Sequence, residues 1–490
     1  MRSFSRRGFL AAGAATLAAT QFPVRAFGQA AAPLRLAATR RTLDIDGRAA
    51  TVFGLAGPGG QGLVLDPGQR FRVDLDNDLP VPTIVHWHGQ IPPNAQDGVP
   101  DLPQPLLAPG ETRSFDFAPL SGTHWMHSHV PIQEMQLLAA PLIVRRPEDV
   151  AADRQEVVLF LHDFSFKAPE EVLAEITGGH GATASGAMPG MDHGGMHAGA
   201  GAAGPMAMPM DMGTMGGMAM DLNDYDWDAY LANDRTLSDP EVVPVERGGR
   251  VRLRAINAAA ATVFWIDTGT VEGQLVAVDG QPVCPLAGSR FGLAMGQRLD
   301  IEFDLPNEGG AWPVLALREG ARERTGIVLA TPGAAVARLD ALAERAAPAF
   351  DTDLAQEASL VGIDALPERP VERRHMIMLG GAMQPYAWTI DGAVWGKHRP
   401  IVAKSGERVE LAFHNMSMMG HPMHLHGHAF QVVGINARRF AGARRDTVYV
   451  PPMSMVTVAL DAGEAARWML HCHHMPHLST GMMTEFRVEA

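Results

Sequence analysis

The stretch HCHHMPHLSTGMM occupies residues 471–483, close to the end of the chain. The residues before it, Arg467 to Leu470, predict a short buried strand that runs into this stretch. Successive side chains of a strand point to opposite faces, so Cys472 is expected on one face and both His471 and His473 on the other. A thiolate can then bind one metal ion while the two flanking imidazoles bind another behind it.

Further ligand types follow Cys472 at short spacing. His477 lies in the same stretch, and Met482 lies on the next predicted loop. A cysteine thiolate, imidazoles and a weak thioether form the ligand set of a blue-copper electron-transfer centre. Such a centre needs a second histidine from elsewhere in the chain. We expect it to be His421, in the motif HPMHLHG at residues 421–427.

Four His-x-His pairs, one of which straddles Cys472, supply eight imidazoles at alternating positions. They are His86, His88, His127, His129, His424, His426, His471 and His473. Each pair places both imidazoles on one side of an extended segment. A single pair is weak evidence, because two surface histidines at this spacing are common. Four pairs favour a metal site over structural histidines.

These motifs resemble those of the three-domain multicopper oxidases, the family of laccases and bacterial cuprous oxidases, and the resemblance covers essentially the whole mature chain. It implies four copper ions as cofactors. The type 1 copper would be bound by His421, Cys472, His477 and the axial Met482. The type 2 copper would be bound by His86 and His424. The type 3 pair would be bound by His88, His127 and His473 on one ion, and by His129, His426 and His471 on the other.

The resemblance also implies an oxidase with dioxygen as a partner. Substrate would be oxidised one electron at a time at the type 1 site, electrons would pass from Cys472 to His471 and His473, and dioxygen would be reduced to water. Cu(I) is the favoured substrate, in a role in copper tolerance. The alternatives are a laccase-like oxidase of phenols or other small organic reductants, and a non-catalytic copper-sequestering protein.

Two matches and two departures concern the surroundings of these sites. Asp97 matches a family acid near the cluster, with a plain Asp-Gly turn as the alternative. The acid that many relatives place directly after the second type 1 histidine is Leu478 here, so a second proton donor is unassigned. Met419 aligns with a methionine that helps bind substrate Cu(I) in copper-efflux oxidases, but the Asp expected two positions earlier is Ser417.

Length and composition agree with a large globular protein that does not bind nucleic acid. A chain of 490 residues suggests about three domains. Its hydrophobic content of 46% and charged content of 19% suit a soluble protein with an ample core. A net charge of −14 argues against nucleic acid or an anionic membrane surface as a partner. If Cys472 binds copper, the other cysteine, Cys284, has no disulfide partner, and we expect it to be a small buried residue.

A degenerate repeat predicts three related β-domains. Gly68 to Asn77, Gly248 to Asn257 and Gly406 to Asn415 each combine a glycine turn with an alternating strand. We therefore predict an all-β fold of three consecutive cupredoxin-like Greek-key β-sandwich domains. The predicted bounds are 33–146, 150–335 and 371–490, with a linker over 336–370. Nine residues after the repeat Asn stand His86 and His424, but Ile266 in the middle copy, which also has Thr268 two positions later.

The first 30 residues resemble an export signal. Paired arginines, Arg6 and Arg7, precede a modest apolar run and a region of small residues. This pattern favours a twin-arginine signal peptide and a periplasmic protein that uses the twin-arginine export machinery. A mitochondrial-type presequence or a merely basic start is the alternative. No stretch is apolar for long enough to predict a membrane span.

A segment rich in methionine interrupts the predicted second domain over residues 178–220. It contains ten methionines and three histidines among glycine, alanine and proline. Such a composition cannot bury a core, and thioethers are soft ligands that select Cu(I). The alternative is a spacer that binds nothing. Helices are predicted over Pro169 to Ile176 and over Ala334 to Arg345, the latter as part of the linker.

Overall fold

The computed structural model describes residues 32–178, 222–350 and 354–490. The predicted export signal and nearly all of the methionine-rich segment lie outside these ranges. Strands dominate the described residues, and six sheets follow one another in pairs along the chain. The all-β prediction is therefore confirmed. In the described part of the chain, no helix combines the length and the apolar character needed to cross a membrane.

The first pair of sheets covers residues 34–144. Its strands are β1 (Leu34–Ile45), β2 (Arg48–Gly57), β3 (Gly60–Gln61), β4 (Leu63–Leu65), β5 (Phe71–Asn77), β6 (Val85–His88), β7 (Thr112–Phe117), β8 (Gly122–Ser128) and β9 (Ala139–Val144). One sheet has the order β3-β2-β1-β5-β7 and the other β4-β9-β8-β6. Phe71 of the first sheet packs edge-on against Trp87 of the second at 4.7 Å between ring centroids, so the core lies between the two sheets.

The second pair covers residues 155–330. Its strands are β10 (Gln155–Phe164), β11 (Ala229–Ala232), β12 (Val242–Pro244), β13 (Arg250–Asn257), β14 (Phe264–Asp267), β15 (Gly273–Val278), β16 (Gln281–Gly288), β17 (Arg290–Leu293), β18 (Arg298–Asp304), β19 (Ala311–Arg318) and β20 (Arg324–Ala330). The sheet orders are β11-β10-β13-β18-β15-β16 and β12-β20-β19-β14-β17.

The third pair covers residues 373–489. Its strands are β21 (Arg373–Met383), β22 (Tyr386–Ile390), β23 (Ile401–Lys404), β24 (Arg408–Asn415), β25 (His421–Leu425), β26 (Phe430–Ile435), β27 (Arg438–Arg439), β28 (Arg444–Arg445), β29 (Thr447–Val450), β30 (Met455–Asp461), β31 (Arg467–Cys472) and β32 (Met483–Glu489). One sheet has the order β22-β21-β24-β30-β26-β27, with β28 paired to β26, and the other has the order β23-β32-β31-β25-β29.

The three repeat copies occupy the same place in their sheets. β5, β13 and β24 each pair in parallel with an earlier strand and antiparallel with a later one. Each ends on a fully buried asparagine, Asn77, Asn257 or Asn415. In every copy the side-chain amide donates to backbone carbonyls, and its oxygen accepts the amide two residues later. The repeat Asn thus fixes the turn that leads to the next strand.

Within the described residues, five short α-helices lie between or beside the strands. They are α1 (Pro131–Glu134), α2 (Pro147–Ala151), α3 (Pro169–Thr177), α4 (Ala355–Ser359) and α5 (Met475–Ser479). The helix predicted from Pro169 is confirmed, with Val172 and Ile176 buried one turn apart. A proline at its first position supplies a preset φ, which favours helix initiation there.

The helix predicted over Ala334 to Arg345 is wrong, because the structure has no helix in this segment. The amide of Ala343 donates to the carbonyl of Arg322 at 2.7 Å, and the amide of Arg324 donates to the carbonyl of Ala341 at 2.9 Å. These bonds to the β19–β20 turn satisfy the backbone without a helix. Leu342, one of the residues at helical spacing, is 52% exposed.

The prediction that Cys284 is buried is also wrong. Its side chain is exposed. Cys284 lies on β16, the last strand of the six-stranded sheet, and directly follows the buried Val283. Successive side chains of a strand point to opposite faces, so Cys284 points away from the face that buries Val283.

Candidate metal centres

The first centre contains Cys472, His421 and His477, and we call it the thiolate cluster. Sγ of Cys472 lies 3.7 Å from Nδ1 of His421 and 3.6 Å from Nδ1 of His477. The two Nδ1 atoms are 3.2 Å apart. All three side chains are fully buried. Three donors therefore converge on one point, where a single metal ion can bind all of them.

Strand pairing explains why these side chains meet. β25 and β31 are antiparallel neighbours, with Met423 opposite Cys472 and His424 opposite His471. Directly opposite residues share a face, so Cys472 lies on the same face as Met423 and, two positions away, His421. His424 and His471 point to the other face. His477 joins the first group from α5, the helical turn that directly follows β31.

Two neighbours orient the thiolate cluster. Oγ of Ser417 donates to Oδ1 of Asn415 at 2.8 Å, and it lies 2.8 Å from Nε2 of His421, whose N–H it accepts. That bond leaves Nδ1 of His421 free to bind a metal ion. The amide of Cys472 donates to the carbonyl of Met482 at 3.1 Å, and the Met482 side chain is fully buried.

The second centre lies behind β31 and contains eight buried histidines, which we call the histidine cluster. They are His86, His88, His127, His129, His424, His426, His471 and His473. Four come from β6, β8 and the residue after β8, and four from β25, β31 and the residues after them. Nε2 of His86 lies 3.4 Å from Nε2 of His424, and Nε2 of His426 lies 3.1 Å from Nε2 of His471.

Outer hydrogen bonds fix the ring orientation in this cluster. Nδ1 donates to a backbone carbonyl in His86 (2.8 Å), His127 (2.9 Å), His424 (2.9 Å) and His471 (3.0 Å). In His426 it donates to Oδ2 of Asp97 at 2.9 Å. These bonds leave Nε2 of each ring unprotonated, as metal binding requires. The acceptor for His471 is the carbonyl of Cys472, which joins the two centres.

His88 has the opposite orientation. Its Nε2 lies 3.1 Å from both Oδ1 of Asp446 and Oγ1 of Thr447, so its Nδ1 is the nitrogen left over. Asp446 is held in turn by Arg298 of the middle pair of sheets, whose Nη1 donates to Oδ1 at 2.7 Å. The Arg298 side chain is fully buried. The middle sheets therefore reach the histidine cluster without supplying a ligand.

The unpaired atoms in this cluster fit a metal. Among the described residues, Nδ1 of His88 and Nε2 of His127, His129 and His473 are buried without a hydrogen-bond partner. Leaving several such atoms unpaired is costly unless a ligand binds them. Buried imidazoles with a thiolate nearby form a donor set that suits copper.

Burial keeps the imidazoles neutral. It lowers the pKa of His127, His421, His471 and His473 to about 3. It also lowers the pKa of His88, His129, His424, His426 and His477 well below the usual value, with neighbouring imidazoles as a further cause. Burial raises the pKa of the Cys472 thiol, so without a metal this group holds its proton at neutral pH.

Besides Asp446, two further carboxyl groups border the histidine cluster. Asp97, which the sequence singled out, lies there: Oδ2 accepts from His426, and Oδ1 is 3.4 Å from Nδ1 of His86. Glu134 of α1, which the sequence did not single out, places Oε2 3.5 Å from Nδ1 of His127 and Oε1 3.8 Å from Nδ1 of His473. Burial raises the pKa of Glu134 to about 7. In the sequence, only its position five residues after His129 indicates that Glu134 lies near the cluster.

The comparisons with known proteins agree in naming one family. Models of multicopper oxidase domains match residues 39–149, 156–336 and 368–490. Multicopper oxidase MmcO of Mycobacterium tuberculosis is 31% identical over 513 aligned residues, which cover 99% of this chain and 96% of the relative. This chain belongs to the multicopper oxidase family. Copper resistance protein A of Escherichia coli is 25% identical over 99% of this multicopper oxidase and 96% of the relative.

Solved structures share the fold. A multicopper oxidase from Pseudomonas thermotolerans has a TM-score of 0.68 at 22% identity, over 93% of this chain and 98% of the other. Fet3p, described as a multicopper oxidase that functions in iron import, has a TM-score of 0.72 at 16% identity, over 93% of this chain and 90% of the other. The cupredoxin-like prediction is thus confirmed. Multicopper oxidases bind copper, and the two buried centres of this member have donor sets that fit it.

Proposed function

We propose that this multicopper oxidase couples the one-electron oxidation of a small reductant at the thiolate cluster to the reduction of dioxygen at the histidine cluster. His421, Cys472, His477 and Met482 would hold the type 1 copper. The eight histidines of the second cluster would hold the type 2 copper and the type 3 pair, with the division among them that the family resemblance implies. Copper bound at these residues supplies the redox chemistry.

One observation carries this proposal. Cys472 lies on β31 between His471 and His473, and the thiolate and the imidazoles belong to separate clusters on opposite faces of that strand. The carbonyl of Cys472 accepts from Nδ1 of His471 at 3.0 Å. A few covalent bonds and this hydrogen bond therefore join the two clusters. A protein that only stored copper would have no use for such a junction.

Asp97 is suited to handle protons in this scheme. Its side chain is 1% exposed and contacts two imidazoles of the histidine cluster. Reduction of dioxygen to water consumes protons, and a carboxylate within hydrogen-bond distance of a ligand can pass them on. The role of Asp97 as a proton carrier is part of the proposal.

Cu(I) is the substrate we favour, as part of copper tolerance. His477, five residues after Cys472, is fully buried, which disfavours a phenol that must lie against its ring edge. The cavity beside the cluster has a volume of about 10 Å³, room for roughly one water-sized sphere. A laccase-like activity is the second candidate, since Laccase-2 of Botryotinia fuckeliana is 24% identical over 92% of this chain and 81% of the relative.

Export and domain limits belong to the same proposal. The paired arginines at positions 6 and 7 support passage through the twin-arginine machinery to the periplasm, a route that carries folded proteins. We propose domains at residues 33–146, 150–335 and 371–490, joined by a linker over 336–370. The matched ranges 39–149, 156–336 and 368–490 support these limits.

Oxygen uptake tests the proposed function. Dioxygen consumption by the copper-loaded enzyme is measured with Cu(I) and, separately, with a phenol, each with and without a Cu(I) chelator. Consumption with Cu(I) that the chelator abolishes is the expected result. Uptake with the phenol alone would favour the laccase-like candidate. No uptake with either substrate would leave the copper-sequestering alternative.

A further inference from the structure

A cavity with a volume of about 420 Å³ lies on the middle sandwich, beside the β19–β20 turn. Four arginines and two acids line it, and the rest of its wall is leucine and alanine; the charged residues are Asp267, Arg290, Arg322, Glu323, Arg324 and Arg345. The wall therefore has a net charge of +2, whereas the whole chain carries −14. A cavity whose charge is opposite in sign to that of the molecule should attract anions.

Strand register places much of this wall on one face of a sheet. Arg290 of β17 lies opposite Asp267 of β14, and Asp267 lies opposite Leu315 of β19. Leu317 of β19 lies opposite Arg324 of β20. Directly opposite residues share a face, and the two leucines share one because they are two positions apart on one strand. The floor of the cavity is therefore apolar, with charged residues on both sides of it.

Residues 340–347 close one side of the cavity and orient two of its arginines. Nε of Arg322 donates to the carbonyl of Ala343 at 2.7 Å. Nε of Arg324 donates to the carbonyl of Asp340 at 2.8 Å. Each of these bonds uses one guanidinium nitrogen and leaves the two terminal nitrogens of the same group as further donors.

The positive charge of the wall is not neutralised within the described residues. Arg290 donates to Oδ2 of Asp267 from Nε at 3.0 Å and from Nη2 at 2.6 Å. Oε2 of Glu323 lies 3.7 Å from Nη1 of Arg318, which does not line the cavity. In the described part of the chain, the other three arginines of the wall form no ion pair with a carboxylate; they are Arg322, Arg324 and Arg345.

We infer that this cavity binds a small organic anion with two or more carboxylate groups. A guanidinium group offers paired N–H donors that match a carboxylate, and three such groups exceed what one carboxylate can use. The leucine and alanine walls suit a carbon body, and the volume lies within the usual range of small-molecule sites, about 300–1,000 Å³. None of the wall residues is a proposed copper ligand, so this site does not depend on the proposed function.

Trimesate, a benzene ring with three alternating carboxylates, is the probe for this site. The spacing of its carboxylates prevents two of them from chelating one copper ion. Binding to the copper-loaded, full-length protein is measured by isothermal titration calorimetry at low ionic strength, where charge attraction is least screened. We expect one site with a dissociation constant below about 1 mM. Benzoate, with a single carboxylate, and inorganic phosphate, without a carbon body, should bind more weakly.

Three variants locate the binding. Arg345→Gln should weaken trimesate binding on the order of tenfold, because a charged donor is lost. Glu323→Gln should strengthen it on the order of threefold, because a like charge is removed from the wall. Arg338→Gln is the matched control, since Arg338 is exposed in the same part of the chain but does not line the cavity; its affinity should equal that of the wild type.

Three results would overturn the inference. The first is a dissociation constant for trimesate above about 1 mM in the wild type. The second is equal weakening in Arg345→Gln and Arg338→Gln, since the anion would then respond to surface charge in general. The third is phosphate binding at least as tight as trimesate binding, which would exclude an organic ligand. An unchanged Tm shows that each variant is folded, and blue colour and oxygen uptake, measured on the same samples, test the proposed function separately.

Discussion

The thiolate cluster and the histidine cluster share strand β31 but are built in different ways. Every residue of the thiolate cluster comes from the third sandwich, on β25, β31 and α5. The histidine cluster takes half of its rings from the first sandwich and half from the third. One centre is therefore a product of local folding, and the other forms only where two sandwiches meet. Changes to the packing of the sandwiches should affect the second far more than the first.

The middle sandwich contributes to the histidine cluster from outside. At the positions equivalent to His86 and His88, the middle sandwich has Ile266 and Thr268. Ile266 is fully buried, and the hydroxyl of Thr268 donates to the carbonyl of Val271 at 2.6 Å. This sandwich supplies Arg298 instead, whose guanidinium pairs with Asp446 beside His88. The middle sandwich supplies no proposed copper ligand, but through Arg298 and Asp446 it positions the ligand His88.

The largest expected effect is the loss of the blue copper from the thiolate cluster, with the copper of the histidine cluster retained. Cys472→Ser should abolish the intense visible absorption, because that band needs the copper–thiolate bond. Copper in the histidine cluster should remain, since none of its eight rings is changed. Visible absorption and copper content per chain measure the two effects.

Cys284→Ser is the matched control for this variant. Cys284 is exposed and lies on an edge strand, so the control should keep both the colour and the full copper content. A Cys472→Ser protein that stayed blue would contradict the assignment of the thiolate cluster.

Arg298→Met should have the opposite effect, in which the histidine cluster loses copper and the thiolate cluster keeps it. Removing this guanidinium leaves the buried carboxylate of Asp446 without its main partner, which costs about 3–5 kcal/mol for a buried pair. We expect copper loss at the histidine cluster and a lower Tm, with the blue absorption retained. Arg290→Met removes an exposed pair with Asp267 in the same sandwich, where about 1 kcal/mol or less is expected. Equal loss of blue and non-blue copper in Arg298→Met would show that the clusters are not independent.

Acid should destabilise the metal-free protein. Burial holds the pKa of His127, His421, His471 and His473 at about 3, against about 6.5 in an unfolded chain. Between these values the unfolded chain binds more protons, so stability is full above about pH 6.5 and falls as the pH is lowered, by about 1.4 kcal/mol per pH unit for each histidine. Buried carboxyls act in the opposite direction, with pKa values raised to about 7 in Glu134, about 8 in Glu319 and about 6 in Asp163, but they are fewer than the buried histidines. Tm scans of the copper-free protein from pH 7.5 to pH 5 measure this; a flat profile would contradict it.

The smallest effect on both clusters should come from deleting residues 188–220. The deletion removes ten methionines but none of the twelve residues proposed to bind the four coppers. Colour and oxygen reduction should persist, while the rate with Cu(I) should fall at low free copper, because a tether of soft ligands raises the local concentration of the ion. A segment of equal length without methionine is the control. Equal rates for deletion and wild type at every copper concentration would make the segment a passive spacer.

Alternation along strands allowed most of the site to be predicted from sequence. The opposed faces of Cys472 and its flanking histidines, and the repeat that ends in Asn77, Asn257 and Asn415, are short-range patterns with a fixed period. Glu134, Asp446 and Arg298 carry no such pattern; they reach the histidines only through packing between sandwiches. The wrong helix at Ala334 to Arg345 has the same origin, since backbone partners on the β19–β20 turn outweighed helical spacing.

The two-centre account is tested most directly by anomalous diffraction at the copper edge from a crystal of the copper-loaded protein. The account predicts one resident copper between Sγ of Cys472 and the Nδ1 atoms of His421 and His477, and three among the eight rings of the histidine cluster. A resident copper beside Ile266 and Thr268 in the middle sandwich, or no copper at Cys472, would contradict it.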